Sequence, residues 1–492
     1  MTTAPGGDTA PAPLPDVLDG AWRDFFAQMR EMPAHPQAQD FLHRDLQEAF
    51  ARIIPADASV FEAGCAEGEL LAALPNGRRM GIDYLPDTIA RARARHPEID
   101  FEVGDITASA PPRIGSAAAG TWDAVICDRL AHSVLDVKAL LLGLKRHLAP
   151  GGRIYMTAFN YMWELPTRLA EMSGWKRPAP TSNWLSDSDY QNLFDIAGLE
   201  VVRYEDRVML PLEVPGLTPA LNRYLVRAPG MKYTSLYRIY VLRDRGGAPA
   251  PRRASVSVIV PTRNEAGNVA AALARTPVMG SGTELIFVEG HSTDDTWATI
   301  QKEIARYKGP LKLSAYQQTG KGKGDAVRLG FSKATGDILM ILDADLTVPP
   351  EELPSFYDVI AAGLGDYVQG TRLVYPMEAG AMRFFNKLGN VAFSQLFTYL
   401  LQQPIKDTLC GTKVLWRRDY ERIAAARSYF GDFDPFGDFD LIFGAARLNL
   451  KIVEIPVRYR ERTYGTTNID RWKHGWLLLR MSAIAARKIK FV

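Results

Sequence analysis

The stretch ILMILDADLTVPP, residues 338–350, decides the fold of the C-terminal half of this chain. It begins with five apolar residues and then places two aspartates, Asp343 and Asp345, one residue apart. Such an apolar run is typical of a central strand in a parallel sheet that is covered on both faces. Carboxylates at the end of a buried strand cost free energy unless a partner neutralises them. We therefore expect these two carboxylates to face a cation.

The composition of the chain limits the classes of protein that need to be considered. Its 492 residues, 47% hydrophobic and 23% charged, are enough for two or more domains with separate cores. A net charge of +2 gives no reason to expect nucleic acid as a partner. Cys65, Cys127 and Cys410 lack metal-ligand spacing, which is typical of a reduced, cytoplasmic protein. No apolar stretch approaches the roughly 20 residues of a membrane-spanning helix, so any membrane contact is expected to be peripheral, at the cytoplasmic face.

The distribution of Pro, Gly and charged residues predicts how the chain is divided. Residues 1–16 are rich in Pro, Gly, Ala and Thr, which is typical of a disordered tail, and residues 245–254 read as a linker. Strand-like and helical patterns alternate on both sides of this linker. The predicted fold class is therefore α/β, with one domain at 17–244, a second at 255–470, and a basic helix at 471–492.

Further residues in the second domain are expected at the same edge of the sheet as the two aspartates. Ligands of open parallel sheets bind beyond the carboxyl ends of the strands, and residues i and i+2 of a strand point the same way. Asp343 and Asp345 can thus share one divalent ion, Mg²⁺ or Mn²⁺, that bridges a diphosphate. Lys321 and Lys323 lie in a glycine-rich loop that can approach phosphate oxygens. The strand-to-helix segments before this loop add Pro261, Arg263, Glu265 and Glu289.

Four segments in this order, VIVPTRNE, VEGHSTDDT, GKGDAVRLG and DAD, resemble the family 2 glycosyltransferases with the GT-A fold. Within that family they look most like the dolichol-phosphate mannosyltransferases and polyprenyl-phosphate glycosyltransferases. The resemblance implies a nucleotide sugar as donor and assigns Asp343 and Asp345 to the metal and diphosphate. Thr347 stands where the mannosyltransferase pattern has a metal-binding Gln, which puts that ligand in doubt. The residues that the resemblance places at the nucleotide are Pro261, Arg263, Glu265, Glu289 and Asp325.

The acceptor of the sugar is less closely defined. The resemblance implies that Arg372 and Arg383 bind an acceptor phosphate, and it places Asp438 at the start of a helix, as an active-site acid or as a helix cap. A sugar hydroxyl needs a general base, whereas a polyprenyl phosphate is already an anion and needs none. These motifs contain many arginines and no histidine paired with a carboxylate, which favours polyprenyl phosphate over the alternative, a glycan hydroxyl.

The last 22 residues, 471–492, contain six Lys or Arg, two Trp and no acidic residue. Helical spacing gathers Trp472, Trp476, Leu479 and Ile484 on one stripe, as in helices that lie in a membrane interface. A helix that packs on its own domain also has an apolar stripe. The absence of acidic residues favours the membrane.

The N-terminal half begins its first domain with a strand, a glycine-containing turn and a helix, ASVFEAGCAEGELLAAL, residues 58–74. The spacing Gly64-x-Ala66-x-Gly68 departs from the dinucleotide fingerprint and resembles the motif of class I S-adenosylmethionine-dependent methyltransferases. Asp83, about 20 residues on, is expected to bind ribose hydroxyls. The resemblance places Asp105 at the adenine, and Glu62 precedes the turn.

The methyl acceptor is not identified by any motif. Asp128, at the end of the fourth strand, and His132 are the candidates to accept its proton, although a lone histidine is more often a packed residue. Residues 159–235, with Tyr161, Trp163, Trp175 and Trp184, are expected to cap the pocket. The chain is thus predicted to be a bifunctional enzyme; the alternative is that the first domain binds S-adenosylmethionine or a partner without turnover.

Overall fold

The structure is a computed structural model, and it describes residues 20–25, 36–108, 121–174, 178–180, 182–246, 253–374, 384–429, 439–459, 464 and 471–492. The chain forms two compact units, Met1–Asp244 and Arg245–Val492, each with its own seven-stranded sheet. The predicted fold class, two α/β domains, is confirmed. The predicted tail at 1–16 lies outside the described residues, as does most of the predicted linker, so those boundaries stay predictions.

The first unit contains a mixed sheet with the strand order β3-β2-β1-β4-β5-β7-β6. Strands β1 to β5 run parallel, and β7 is antiparallel to both β5 and β6. All four residues of β1 are buried, as the apolar run in the sequence requires of a central strand. The strands are β1 Val60–Ala63, β2 Arg79–Asp83, β3 Asp100–Val103, β4 Trp122–Cys127, β5 Leu148–Phe159, β6 Leu199–Arg207 and β7 Tyr237–Asp244.

Helices cover both faces of this sheet. They are α1 Pro36–Ile53, α2 Glu69–Ala73, α3 Pro86–Arg95, α4 Val137–Arg146, α5 Glu164–Met172 and α6 Asp187–Ile196. A short helix Leu217–Pro219 continues as a wider helical turn, Ala220–Leu225, and single turns occur at Tyr161–Trp163 and Met231–Tyr233. Asp136 caps α4 by accepting from the N–H of Ala139, and Ser186 with Asp189 forms a capping box at α6, so polar residues fix where both helices begin.

The second unit contains a mixed sheet with the strand order β10-β9-β8-β11-β13-β12-β14. Its strands are β8 Val256–Thr262, β9 Thr283–Glu289, β10 Lys312–Gln317, β11 Ile338–Ile341, β12 Tyr367–Thr371, β13 Lys413–Trp416 and β14 Ile452–Pro456. Strand β11 is parallel to β8 and antiparallel to β13, and each of its residues is buried. Two apolar clusters enclose this sheet, one on each face of β11.

The helices of the second unit are α7 Val269–Arg275, α8 Thr296–Arg306, α9 Lys323–Lys333, α10 Leu353–Ala361, α11 Phe384–Leu401, α12 Arg417–Ala425, α13 Phe439–Arg447 and α14 Arg471–Ala485. Helical turns occur at Ala266–Asn268, Pro350–Glu352, Arg427–Tyr429 and Ala486–Lys490. Helix α9 begins directly after the glycine-rich loop, and β11 follows α9. The lysines of the loop and the aspartates that follow β11 therefore belong to one strand edge.

The predicted C-terminal helix is present as α14 and the turn that follows it. Leu478, Met481, Ala485 and Ile489 are buried in the same apolar cluster as residues of α11. Trp476 and Leu479 remain 72% and 51% exposed. One face of the helix thus packs on its own domain, and another face carries exposed apolar residues. Among the described residues, no helix is long and apolar enough to cross a membrane.

Candidate active sites

Acidic side chains converge where β1, β2 and β4 end in the first unit. Glu62 and Asp83 lie in the ends of β1 and β2, and Asp128 follows β4. Glu62 is 3% exposed. Burial, together with the nearby carboxylates of Asp128 and Asp83, raises the pKa of Glu62 well above its ordinary value. This favours the protonated form of Glu62, which can donate a hydrogen bond as well as accept one.

The turn after β1 has an unusual backbone. Gly64, Ala66 and Gly68 have φ angles of 73°, 46° and 82°, in the left-handed region. A Cβ atom on Gly68 would overlap the ring of Phe101, so this glycine is required by contact as well as by conformation. Asp83 accepts from the backbone N–H of Ala66 at 3.2 Å, which ties the turn to the end of β2. Ala66, which stands where the motif has a glycine, adopts a left-handed conformation in this turn.

The polar side chains at this edge are suited to bind S-adenosylmethionine. Among the described residues, Oε2 of Glu62 and Oδ1 of Asp128 are buried oxygens without a hydrogen-bond partner. Buried acceptors are normally paired, so these two are suited to the amino and hydroxyl groups of a ligand seated over the turn. Asp105 is exposed, and it accepts from the N–H and hydroxyl of Thr107 at 2.8 and 2.7 Å. Its predicted adenine contact stays a prediction.

The two predicted proton acceptors have different surroundings. Asp128 accepts from Nε of Arg129 at 2.8 Å, and Arg129 itself has a left-handed φ of 50°. His132 is half-buried, and its ring lies 5.0 Å from the ring of Phe159 and 6.0 Å from that of Trp22. The structure therefore places His132 in an aromatic cluster near the same strand edge. Its role as a base stays a prediction.

In the second unit, Asp343 faces a cation at the end of β11. Nζ of Lys323, the first residue of α9, lies 2.6 Å from its Oδ1. Burial alone would raise the pKa of Asp343, but the positive charges of Lys323, Lys413 and Arg372 hold this pKa below its ordinary value. The carboxylate is thus ionised at neutral pH and faces a cation of the protein itself, Lys323, while the predicted metal ion stays a prediction.

Asp345 is oriented by Thr347. Its Oδ1 accepts from the backbone N–H of Thr347 at 3.2 Å and from the hydroxyl at 2.9 Å. The residue between them, Leu346, has a φ of 52°. Thr347, which occupies the position of the family's metal-binding Gln, therefore serves as a donor to Asp345.

The side chains at the end of β11 supply only some of the ligands that a hard divalent cation needs. Within the described ranges, no group of three or more His, Cys, Asp and Glu is arranged to hold a metal. Mg²⁺ is commonly held by one or two carboxylates together with substrate phosphates and water. Asp343 and Asp345 could supply the two carboxylates of such a magnesium site, and the phosphates of a bound diphosphate would supply further ligands.

Gly411 completes the contact between Asp343 and Lys323, and the sequence reasoning missed it. A Cβ atom at this position would overlap Oδ2 of Asp343 and lie 2.5 Å from Nζ of Lys323. Because real Cβ atoms do not approach other atoms so closely, a side chain at this position would require the end of Asp343 or of Lys323 to shift. The signal in the sequence was weak, since Gly411 lies 68 residues after Asp343 and belongs to none of the four ordered motifs.

The residues predicted at the nucleotide fall into two groups. Glu289 and Glu265 are buried: Glu289 accepts from the N–H of Ser292 at 2.5 Å and from Gln317 at 3.1 Å, and Glu265 accepts from Asn268 at 2.7 Å. Burial opposes ionisation of Glu289, but these donors hold its pKa below the ordinary value. The remaining members lie nearer the surface, and they are the half-buried Pro261 and Asp325 and the exposed Arg263 and Lys321.

Arg372 forms a buried ion pair with Asp407. Its Nε and Nη2 lie 2.7 and 2.8 Å from the two carboxylate oxygens, and Asn390 donates to the same carboxylate at 2.8 Å. Burial would raise the pKa of Asp407, but Arg372 and the other donors lower it to about 2. This pair fixes the segment that leads to Gly411. The predicted contact of Arg372 with an acceptor phosphate stays a prediction.

Several predicted residues lie outside the described residues. They are Arg383 and Asp438 in the second unit, and Trp175 in the first.

Comparisons with family models match both halves of the chain. Residues 257–423 match glycosyl transferase family 2, and residues 34–204 match a methyltransferase domain. The chain is 28% identical over 254 residues to dolichol-phosphate mannosyltransferase from Pyrococcus furiosus, which covers 48% of this chain and 67% of that protein. It is 30% identical over 221 residues to dolichyl-phosphate hexose transferase from Haloferax volcanii, and this match covers 45% of this chain and 89% of that protein.

A third relative is undecaprenyl-phosphate 4-deoxy-4-formamido-L-arabinose transferase from Klebsiella pneumoniae, with 33% identity over 214 residues; the match covers 43% of this chain and 61% of that protein. Among solved structures, glucosyl-3-phosphoglycerate synthase from Mycobacterium tuberculosis aligns with 49% of this chain and 81% of its own, at 19% identity and a TM-score of 0.36. A SAM-dependent methyltransferase from Thermotoga maritima aligns with 47% of this chain and all of its own, at 15% identity and a TM-score of 0.34.

Replacing Gly411 by Ala is expected to weaken binding of a nucleoside diphosphate by about tenfold or more, because the added methyl group forces Asp343 and Lys323 apart. Calorimetric titration with UDP and with GDP, each with Mn²⁺, measures the effect. Gly389→Ala is the matched control, since a Cβ there meets nothing within 4 Å. Equal affinities in the Gly411→Ala variant and the wild type would show that the contact does not shape the site.

Replacing Arg372 by Ala is expected to destabilise the segment around Asp407 by about 3–5 kcal/mol, because it leaves a buried carboxylate unpaired. Hydrogen exchange of residues 405–416 measures the loss. The control is Arg275→Ala, which removes an exposed pair with Glu351 of the same geometry, 2.7 and 2.8 Å, and is expected to cost less than about 1 kcal/mol.

The ion pair of Arg372 and Asp407 should also make the stability of this segment depend on pH. The folded-state pKa of Asp407 is lowered to about 2. The ionised carboxylate therefore contributes its full stabilisation of the fold above the ordinary pKa near 4, and this contribution is lost as the pH falls through 2. If Arg372 served only to bind an acceptor, protection of this segment would not change in the variant or between pH 4 and pH 2.

Proposed function

Because the chain belongs to glycosyl transferase family 2 and carries a methyltransferase-family domain, we propose that it is a bifunctional transferase. Its second unit transfers a sugar from a nucleotide sugar to a polyprenyl phosphate, and its first unit transfers a methyl group from S-adenosylmethionine. The observation that carries the first activity is the ionised Asp343, held against Lys323 beside Gly411. The names of three relatives, which refer to dolichol, dolichyl and undecaprenyl phosphates, support the choice of acceptor.

The donor diphosphate is proposed to bind at the end of β11. Asp343 and Asp345 would hold a divalent ion, Mg²⁺ or Mn²⁺, which when bound neutralises charge on the diphosphate. Lys323 lies at the N-terminus of α9, where a helix also favours anions, and its ammonium group can exchange the carboxylate for a phosphate oxygen. Arg263 and Lys321, both exposed, would add positive charge to this site. Preorganised cations of this kind stabilise the charge that develops on a leaving group.

The acceptor phosphate is proposed to attack the anomeric carbon directly. A bond forms between its oxygen and that carbon as the bond to the diphosphate breaks, and the nucleoside diphosphate leaves with the electron pair. A single displacement of this kind inverts the anomeric centre. The phosphate has no proton to lose, so the site needs cations to position it and no general base. Arg372 and Arg383 remain the candidates for this contact. A glycan hydroxyl, the alternative acceptor, would require a base.

Methyl transfer is proposed for the first unit. Glu62, Asp83 and Asp128 would bind S-adenosylmethionine over the turn at Gly64 and Gly68, and the cofactor supplies an electrophilic methyl group. His132 or Asp128 would take the proton of the acceptor. If neither does so, the domain binds the cofactor without turnover, and purified protein never releases S-adenosylhomocysteine.

The exposed face of α14 is proposed to contact an anionic membrane surface. Trp476, Leu479 and Arg480 are exposed and lie within one helical turn, and Arg487 follows two turns later. Trp is enriched at membrane interfaces, and nearby Lys or Arg residues are attracted to anionic lipids. The opposite face anchors the helix to the protein, so the exposed face is presented without unfolding. A lipid-linked acceptor would be met at this surface.

Replacing Asp343 by Asn is expected to abolish sugar transfer, because the neutral amide neither pairs with Lys323 nor attracts a cation. Product analysis with radiolabelled nucleotide sugars and either a polyprenyl phosphate or a glycan tests the proposal. Label should enter the lipid phase with the wild type and not with the variant. Binding of S-adenosylmethionine should be unchanged in the variant, which is the internal control for folding. Label that enters only the glycan would contradict the proposed acceptor.

The double substitution Trp476→Ser and Leu479→Ser is expected to reduce binding to phosphatidylglycerol vesicles by at least about tenfold, because it removes two interfacial anchors. Co-sedimentation measures the change, and phosphatidylcholine vesicles report the electrostatic part. Val278→Ser serves as the control, since Val278 is equally exposed, at 51%, in the same unit and outside α14. Undiminished binding of the double variant would contradict the proposed surface.

A further inference from the structure

We propose that an open cavity in the first unit, about 320 Å³ when the solvent space at its mouth is included, binds the sugar ring of the methyl acceptor. This inference rests on the proposed methyl transfer and specifies its substrate class. The cavity lies where β5 ends, between the start of α6, the turn Met231–Tyr233 and the first residues of β7. The enclosed part has room for about one water-sized group, such as a hydroxyl, so the ring itself would lie at the open mouth of the cavity.

The floor of the cavity is a fixed network of charges. Arg238 donates to Asp206 at 2.7 Å and lies 2.8 Å from Oδ1 of Asp187. The hydroxyl of Tyr240 also donates to Asp187, at 3.1 Å. Nζ of Lys232 lies 3.6 Å from the other carboxylate oxygen. Two carboxylates and two cations give no net formal charge, so the cavity favours an uncharged polar ligand over an anion or a cation.

The accessible groups of this network suit hydroxyl groups. The side chains of Asp187 and Lys232 are 48% and 41% exposed, and they lie side by side. A hydroxyl is both donor and acceptor, so one hydroxyl can donate to the carboxylate of Asp187 and accept from the ammonium group of Lys232. The geometry of Asp187 is set beforehand by Arg238 and Tyr240, which lowers the cost of ordering it when the ligand binds.

Two tyrosines border the mouth of the cavity. Tyr161 and Tyr233 are 39% and 49% exposed, and their segments are tied together. The amide of Asn160 donates to the carbonyl of Lys232 at 3.1 Å, and the indole of Trp163 donates to the carbonyl of Thr234 at 3.3 Å. Rigid aromatic rings beside paired donors and acceptors can cover the apolar C–H face of a sugar while its hydroxyls bind the polar groups.

The cavity also adjoins the proposed cofactor edge. Phe159, one of its lining residues, lies 5.0 Å from the ring of His132, which follows Asp128 by four residues. A sugar hydroxyl at the inner end of the cavity would attack the methyl carbon. The new O–C bond forms as the C–S bond breaks, the sulfur of S-adenosylhomocysteine keeps the electron pair, and the hydroxyl proton passes to His132 or to water.

Saturation-transfer NMR with methyl α-mannoside and methyl α-glucoside tests the site without requiring turnover. The full-length wild type should transfer saturation to the ring protons of at least one glycoside, and Asp187→Ala and Tyr233→Ala should each reduce the signal by about tenfold. Tyr224→Ala is the matched control, because Tyr224 is 54% exposed and does not line the cavity. The Asp343→Asn variant should keep the signal, which separates this cavity from the donor site of the second unit.

A methylation assay then identifies which sugar-containing molecule is the methyl acceptor. Methyl-labelled S-adenosylmethionine is incubated with a polyprenyl-phosphate sugar, with the corresponding nucleotide sugar and with the free glycoside. Label should enter at least one of them with the wild type and at least about tenfold less with Asp187→Ala, at unchanged affinity for the cofactor. Glycoside signals that are absent in the wild type or unchanged in both cavity variants would overturn the inference. Sugar transfer by the second unit would stand in that case.

Discussion

An ionised carboxylate at the end of a buried strand is the constraint on which the second unit depends. Asp343 follows the buried strand β11, and Lys323, within 2.6 Å of it, keeps its carboxylate charged together with Lys413 and Arg372. A Cβ atom at position 411 would overlap both groups, so the lack of a side chain at Gly411 leaves room for that approach. Gly411 lies four residues after Asp407, which forms a buried pair with Arg372. These contacts come from four separate parts of the sequence, around Lys323, Asp343, Arg372 and Asp407–Gly411.

The two units place carboxylates at equivalent strand edges but balance them differently. Burial and like charge raise the pKa of Glu62 in the first unit, whereas surrounding cations lower the pKa of Asp343 in the second. The charges at each strand edge suit the ligand that is proposed to bind there. S-adenosylmethionine brings its own positive charge to an acidic edge, and a diphosphate brings negative charge to an edge with lysines. The same architecture thus serves ligands of opposite charge through a few residues.

The parts that the sequence predicted correctly are those recorded in local patterns. Apolar runs followed by polar turns predicted the α/β class of both units, whereas the assignment of Asp343 and Asp345 to a donor site stays a prediction. Contacts between distant segments were not predictable in this way. Gly411 packs against Asp343 from 68 positions away, and Arg372 pairs with Asp407 from 35 positions away. Neither pair has a spacing that distinguishes it from other glycines or ion pairs in the sequence.

The sugar cavity of the first unit shows why such features escape a reading of motifs. Asp206 and Arg238 come from antiparallel strands, and they are opposite each other in the register of β6 and β7. Either residue alone would be predicted as part of a solvated surface. Their charges cancel with those of Asp187 and Lys232, so a neutral ring is expected to bind in preference to a phosphate. A nucleotide sugar and a lipid-linked sugar both carry phosphate outside the ring, and the cavity accordingly selects the sugar while leaving the carrier to be selected elsewhere.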